Sequence, residues 1–113
     1  MIDFDNRPWG RWEEYLFEPG YRVKRIMVFP HKRLSLQYHR MRSEVWVIVE
    51  GAGKMTLGEK TFPIKAGDVI QIEKEQPHRV ENDSDTMLVL IETQIGICPE
   101  DDIVRIEDDF GRK

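Results

Sequence analysis

A chain of 113 residues is long enough for one hydrophobic core and too short for two, so a single domain over residues 1–113 is expected. Its composition, 40% hydrophobic and 34% charged, suits a soluble globular domain, and no run approaches the ~20 apolar residues of a membrane span. A net charge of −4 argues against nucleic acid as a partner, and the single cysteine, Cys98, excludes an internal disulfide and a multi-cysteine metal site.

The N-terminus, Met1 to Asn6, is acidic and polar and lacks the basic and apolar regions of a secretory signal, so a cytoplasmic location is expected. Arg7-Pro8-Trp9-Gly10 makes the first ten residues too aromatic for a floppy tail, and they are expected to pack on the domain. After the Pro19-Gly20 turn, Arg22 to Phe29 alternates around Val23, Ile26 and Val28 and reads as a strand. Pro30-His31 breaks it. Glu44 to Val49 is a nearly continuous apolar run that ends at Gly51-Ala52-Gly53. Lys54 to Leu57 and Thr61 to Ile64 flank Gly58-Glu59, a predicted hairpin. Val69 to Ile72 and Met87 to Thr93 are further strands, separated by turn residues Asn82 to Asp85. The only helical candidate is a turn near Glu100 to Val104, where Pro99 precedes an acidic first turn. Many short strands at even spacing predict an all-β sandwich or barrel.

Among the three histidines, His39 and His78 have neighbours that could make them ligands. Ser35, Gln37 and His39 are two apart, so on a strand they share a face. Glu44 follows His39 by five positions across a short turn, and His78 lies far along the chain. An amide oxygen, two imidazoles and a carboxylate suit one divalent metal ion, Zn²⁺ first, with Mn²⁺, Co²⁺ or Ni²⁺ as alternatives. The plainer reading makes Gln37 and Glu44 hydrogen-bonded strand residues and His78 a core histidine. Arg and Lys gather in the first half, at 22, 24, 25, 32, 33, 40 and 42. They read either as a basic pocket for an anion or as scattered solvated charge.

Gln37-x-His39, Glu44 and Gly51, followed by Gly67, His78 and Asn82, resemble the two motifs of the cupins, with Gln in the first His place. The resemblance implies a cupin fold, a jelly-roll β-barrel, with Gln37, His39, Glu44 and His78 as metal ligands. His31 stands where the first motif usually begins with Gly, and Glu73 and Glu75 replace a Pro and a Gly before His78. These departures fall on turns. Leu34-Ser35-Leu36-Gln37-Tyr38-His39, Arg42-Ser43-Glu44-Val45-Trp46 and Ile91-Glu92-Thr93-Gln94-Ile95-Gly96 resemble the cupin domain of type II mannose-6-phosphate isomerases. So do Arg7-Pro8-Trp9-Gly10, Glu100 to Arg105 and Glu107 to Arg112, so the resemblance covers essentially the whole chain. Met41 and Val45 depart from it, because that family typically carries histidine there. In that family the domain often follows a GDP-mannose pyrophosphorylase domain. No glycine-rich nucleotidyltransferase motif occurs here, so that activity is not implied.

The resemblance implies an isomerase that interconverts mannose 6-phosphate and fructose 6-phosphate. Arg42, two before Glu44, is expected to point into the same cavity and, with Arg105, to act in catalysis. Ser35 and Lys24 are expected to bind the substrate, Ser35 as a phosphate contact. The plainer alternatives pair Arg42 with a surface acid, leave Lys24 on a solvated edge, and pair Arg105 with Asp101, Asp102 or Asp109. The proton-transfer base is not identified, and His31 and Cys98 are expected to take no part. The competing functions are a non-catalytic metal-bearing sugar or sugar-phosphate binding module and a small dioxygenase, the latter disfavoured by Gln37. A homodimer is expected, with Phe4, Trp9, Trp12 and Tyr15 available to cover an interface.

Overall fold

Alternation along a strand puts one face inside and one face outside. In the computed structural model, which describes residues 1–112, this pattern builds eleven strands, and no helix occurs among those residues. They are β1 (Asp3–Arg7), β2 (Gly10–Glu18), β3 (Tyr21–Val28), β4 (Leu36–Tyr38), β5 (Arg42–Glu50), β6 (Ala52–Leu57), β7 (Lys60–Lys65), β8 (Val69–Ile72), β9 (His78–Glu81), β10 (Leu88–Gly96) and β11 (Val104–Glu107). Two antiparallel sheets result, in the orders β1-β2-β3-β10-β5-β8 and β11-β4-β9-β6-β7. The predicted hairpin is β6–β7, with Leu57 opposite Lys60.

The inward face of the first sheet is arranged in rows. Arg22, Gln94 and Glu44 lie side by side across β3, β10 and β5, and Lys24, Glu92 and Trp46 form the next row. Ile26, Leu90 and Ile48 follow, then Val28 and Leu88. All of these side chains are buried. One end of the interior is therefore charged and polar, and the other is apolar. Met55, Ile64 and Val80 from the second sheet, with Trp9, Trp12 and Leu34, complete the hydrophobic core.

One expectation needs correction, and one strand went unread. Glu100 to Val104 forms no helical turn. Asp102 N–H donates to Pro99 O in an irregular turn, and β11 then takes Val104 and Arg105 into a ladder with β4. The first ten residues pack on the domain as expected, β1 pairing with β2 and Trp9 entering the core, while Met1, Ile2 and Phe4 remain exposed at the β1 edge. β2 carries no readable alternation because adjacent Glu13 and Glu14 are both buried, beside a bulge between Glu14 and Leu16. Arg25 and Arg22 respectively hold these two carboxylates.

The motif positions on turns have a backbone explanation. Gly51 has φ of 84°, and a Cβ there would lie 2.4 Å from Met87 O. His31 and Glu75 occupy two positions where the cupin motifs usually have other residues, Gly among them. Both adopt left-handed φ, 62° and 64°. The turn geometry is thus retained without the glycine, at a cost on the order of 1 kcal/mol each. Asp85 holds His31 Nε2 at 2.6 Å, and Glu75 N–H donates to His39 O at 2.7 Å.

Candidate metal centre

Three strands bring the expected ligands to the polar end of the barrel. Gln37 on β4 faces His78 on β9 in the ladder, and Ser35, Gln37 and His39 share a buried face as their spacing predicts. Glu44 comes from β5 in the other sheet. Ligand atoms of His39, Glu44 and His78 all lie within 4.8 Å of one another. His39 Nε2 is 3.3 Å from Glu44 Oε2, and His78 Nε2 is 4.0 Å from Glu44 Oε1. Ligands about 2.1 Å from one ion lie roughly 3–4 Å apart, so these separations fit a single ion.

The histidines are oriented by backbone carbonyls. His39 Nδ1 is 2.6 Å from Asp102 O, and His78 Nδ1 is 3.0 Å from Gln76 O. A carbonyl can only accept, so each Nδ1 carries the proton and each Nε2 lone pair faces inward. Gln37 Nε2 donates to Ser35 Oγ at 2.9 Å, which leaves the amide Oε1 as its ligand atom. Glu44 accepts from Trp46 Nε1 at 2.9 Å and from Arg42 Nε at 2.8 Å. Arg42 also reaches within 3.3 Å of His39 Nε2. It stands among the ligand atoms, away from any surface acid, and a bound cation would displace that last contact.

The protonation states suit metal binding. Burial holds His39 down at about 4, with Arg42 and His78 adding to the effect, and burial likewise lowers His78. Burial alone would raise Glu44, but His78, His39 and Arg42 outweigh it and keep the carboxyl below its ordinary value. Neutral imidazoles and a carboxylate are the forms that ligate.

A cavity of about 170 Å³ opens at this end. It collects every residue expected to hold a metal, bind substrate or act in catalysis: Ser35, Gln37, His39, Arg42, Glu44, His78, Lys24 and Arg105. Their environments differ from expectation. Lys24 is buried, bonded to Glu100, with Nζ 3.9 Å above the Trp12 ring. It is no solvated edge residue. Ser35 Oγ accepts from Gln37 Nε2, and its hydroxyl proton remains free to donate. Arg105 makes no ion pair with Asp101, Asp102 or Asp109 among the described residues, and its buried Nε has no partner. Asn82, the last motif residue, is a structural pin that donates to Val28 O and Thr86 O. Met41 is exposed, and Val45 projects from the outward face of β5, so neither lines the cavity.

Sequence reasoning missed Glu92, Gln94, Arg7 and Arg112, which also line the cavity. Glu92 is 5% exposed, and burial, then the Glu44 charge, raises its carboxyl to about 7. Gln94 Nε2 donates to it at 2.6 Å, while Gln94 Oε1 is buried without a partner. The available signal was parity. Glu92 and Gln94 continue the inward face of Leu88 and Leu90, where a charge or amide is out of place unless it serves a site.

The family model described as mannose-6-phosphate isomerase C-terminal matches residues 4–108. Xanthan biosynthesis protein XanB of Xanthomonas campestris pv. campestris is 40% identical over 107 residues, 94% of this chain and 23% of that protein. A mannose-1-phosphate guanylyltransferase of Klebsiella pneumoniae is 38% identical over the same shares of the two chains. The chain thus spans less than a quarter of the length of the curated relatives it matches. A solved cupin 2 conserved barrel domain protein from Salinispora arenicola superposes with a TM-score of 0.68 at 19% identity, over 75% of this chain and 74% of that one. The fold is the cupin barrel, as expected. The chain belongs to the mannose-6-phosphate isomerase C-terminal family.

Proposed function

We propose that this member of the family is a metal-dependent sugar-phosphate isomerase that interconverts mannose 6-phosphate and fructose 6-phosphate. The observation that supports it best is the single cavity in which the Gln37, His39, Glu44 and His78 set meets a second buried carboxyl, Glu92. Aldose–ketose exchange moves a proton between C1 and C2 and develops negative charge on the neighbouring oxygen. A divalent ion held by Gln37, His39, Glu44 and His78, Zn²⁺ in the first instance, would supply the electrophile for that charge.

The chain's own groups supply the rest. Among the cavity carboxyls, Glu44 is held by Arg42 and Glu100 by Lys24, while no cation pairs with Glu92 among the described residues. A carboxyl that titrates near neutrality can take a proton from one carbon and return it to the next. Arg42 fixes the Glu44 carboxylate and presents positive charge to the substrate oxygens. Trp12 and Trp46 line the cavity and would exclude water from the reacting carbons.

The alternative is a sugar-phosphate binding module without turnover, which the missing histidines at positions 41 and 45 would favour. Met41 is exposed and Val45 points out of the barrel, which leaves that reading without a residue in the cavity to rest on. The test is conversion of mannose 6-phosphate by metal-loaded protein, with Glu44→Gln as control. Turnover in the parent and none in the variant supports the isomerase. Thermal stabilisation by the sugar phosphate with no turnover under any divalent ion establishes the binding module instead.

A further inference from the structure

Five cationic and three carboxylate side chains line the cavity, so it favours an anion. The cations are not equivalent. Arg42 is committed to Glu44, and Lys24 to Glu100. The other three, Arg7, Arg105 and Arg112, come from β1, β11 and the segment after β11. Arg7 reaches Asp5 at 3.2 Å, a pair open to solvent, and Arg112 holds Asp108. Arg105 has no carboxylate partner among the described residues, and its Nε is buried with nothing to receive it. Burial lowers its pKa, the charges of Arg112 and Arg7 lower it further, and the nearby Asp108 charge partly offsets them. With Asp108 already committed to Arg112, the buried Arg105 donor is left for a further anion to satisfy. Arg105 is also directly opposite Gln37 in the β4–β11 ladder, one strand from the metal ligands.

We infer that Arg105, supported by Arg7 and Arg112, is the subsite for the phosphate group of the ligand, in place of Ser35 and Lys24. The inference rests on the sugar-phosphate reading for the identity of the rest of the ligand, but the subsite itself requires only a phosphomonoester dianion. A guanidinium fork matches phosphate oxygens in pairs, and Arg105 can offer Nε and a terminal nitrogen to two of them. The sugar would then extend from the β11 side of the cavity toward Glu44 and Glu92.

The test uses the full chain stripped of metal, with inorganic phosphate as the probe and binding read by calorimetry. The parent is expected to bind phosphate. Arg105→Gln is expected to weaken binding at least tenfold, and Arg112→Gln, which also releases Asp108, about threefold to tenfold. Arg105→Lys restores charge without the fork and should fall between parent and Arg105→Gln. Lys24→Gln and Ser35→Ala should each change binding less than threefold. The inference is overturned if the parent does not bind phosphate, if Arg105→Gln and Arg112→Gln bind as the parent does, or if Lys24→Gln or Ser35→Ala causes the larger loss. The isomerase reading fails separately. Phosphate binding that depends on Arg105 without any sugar turnover leaves the subsite standing, whereas turnover with a KM indifferent to Arg105→Gln removes the subsite and leaves the isomerase.

Discussion

The two ends of the barrel interior are built from the same three strands and serve opposite purposes. Along β3, β10 and β5 the inward rows at one end are Ile26, Leu90 and Ile48, then Val28 and Leu88. At the other they are Lys24, Glu92 and Trp46, then Arg22, Gln94 and Glu44. The first end stabilises the fold by removing apolar surface from water. The second buries charges whose desolvation works against folding and whose ion pairs only partly offset it. A barrel needs the apolar rows to exist, whereas the polar rows hold the residues of the proposed site.

Substitutions can break this division. The largest effect is expected on turnover. Glu92→Gln keeps the shape of the polar end and removes the proposed proton carrier, so kcat should fall by roughly 10²–10⁴-fold, measured by steady-state assay. Metal content should not change, since Glu92 is not a ligand. Next, Ile48→Ala, at a fully buried position of the apolar end, should cost about 2–5 kcal/mol in urea unfolding and leave metal stoichiometry intact in the folded protein. Loss of metal from Ile48→Ala would mean that the two ends are not separable.

A smaller effect sharpens the contrast through pH. The Glu92 carboxyl is raised from 4.5 to about 7, so between those values the folded state binds more protons than the unfolded state. Stability from this group is therefore complete below pH 4.5 and lost as pH rises through about 7. In metal-free protein, Glu92→Gln should gain about 1–3 kcal/mol on the parent across that window, followed by denaturant unfolding at fixed pH steps. A constant difference would show that Glu92 titrates normally. The smallest expected effect lies on the turn beside the site. Glu75→Gly relieves a left-handed residue but adds freedom to the unfolded chain, so a gain of only about 0.5 kcal/mol is expected, read from thermal unfolding.

The two ends also differed in how legibly the sequence announced them. β3, β5 to β8 and β10 were readable because apolar residues alternate or run together between turn residues. β2 was hidden by buried Glu13 and Glu14, whose partners lie on β3 and invert the usual sign of a buried position. β11 shows no period, since Val104, Arg105 and Ile106 are all half-buried. The proposed ligand set could be named in sequence because strand spacing puts Gln37 and His39 on one face and the cupin-like motifs add Glu44 and His78. Glu92 was not, because its carboxyl matters only once Lys24 and Trp46 flank it across two ladders. Lys24 looked solvated in sequence because Glu100, which engages it, is matched to it only by the fold.

The most direct test of a metal-centred polar end is the metal content of the protein itself. After loading with Zn²⁺ and exhaustive dialysis, the parent should retain about one ion per chain by elemental analysis, while His78→Ala and Glu44→Gln, shown to be folded by circular dichroism, should retain almost none. A folded parent without stoichiometric metal, or folded variants that keep it, would contradict the account.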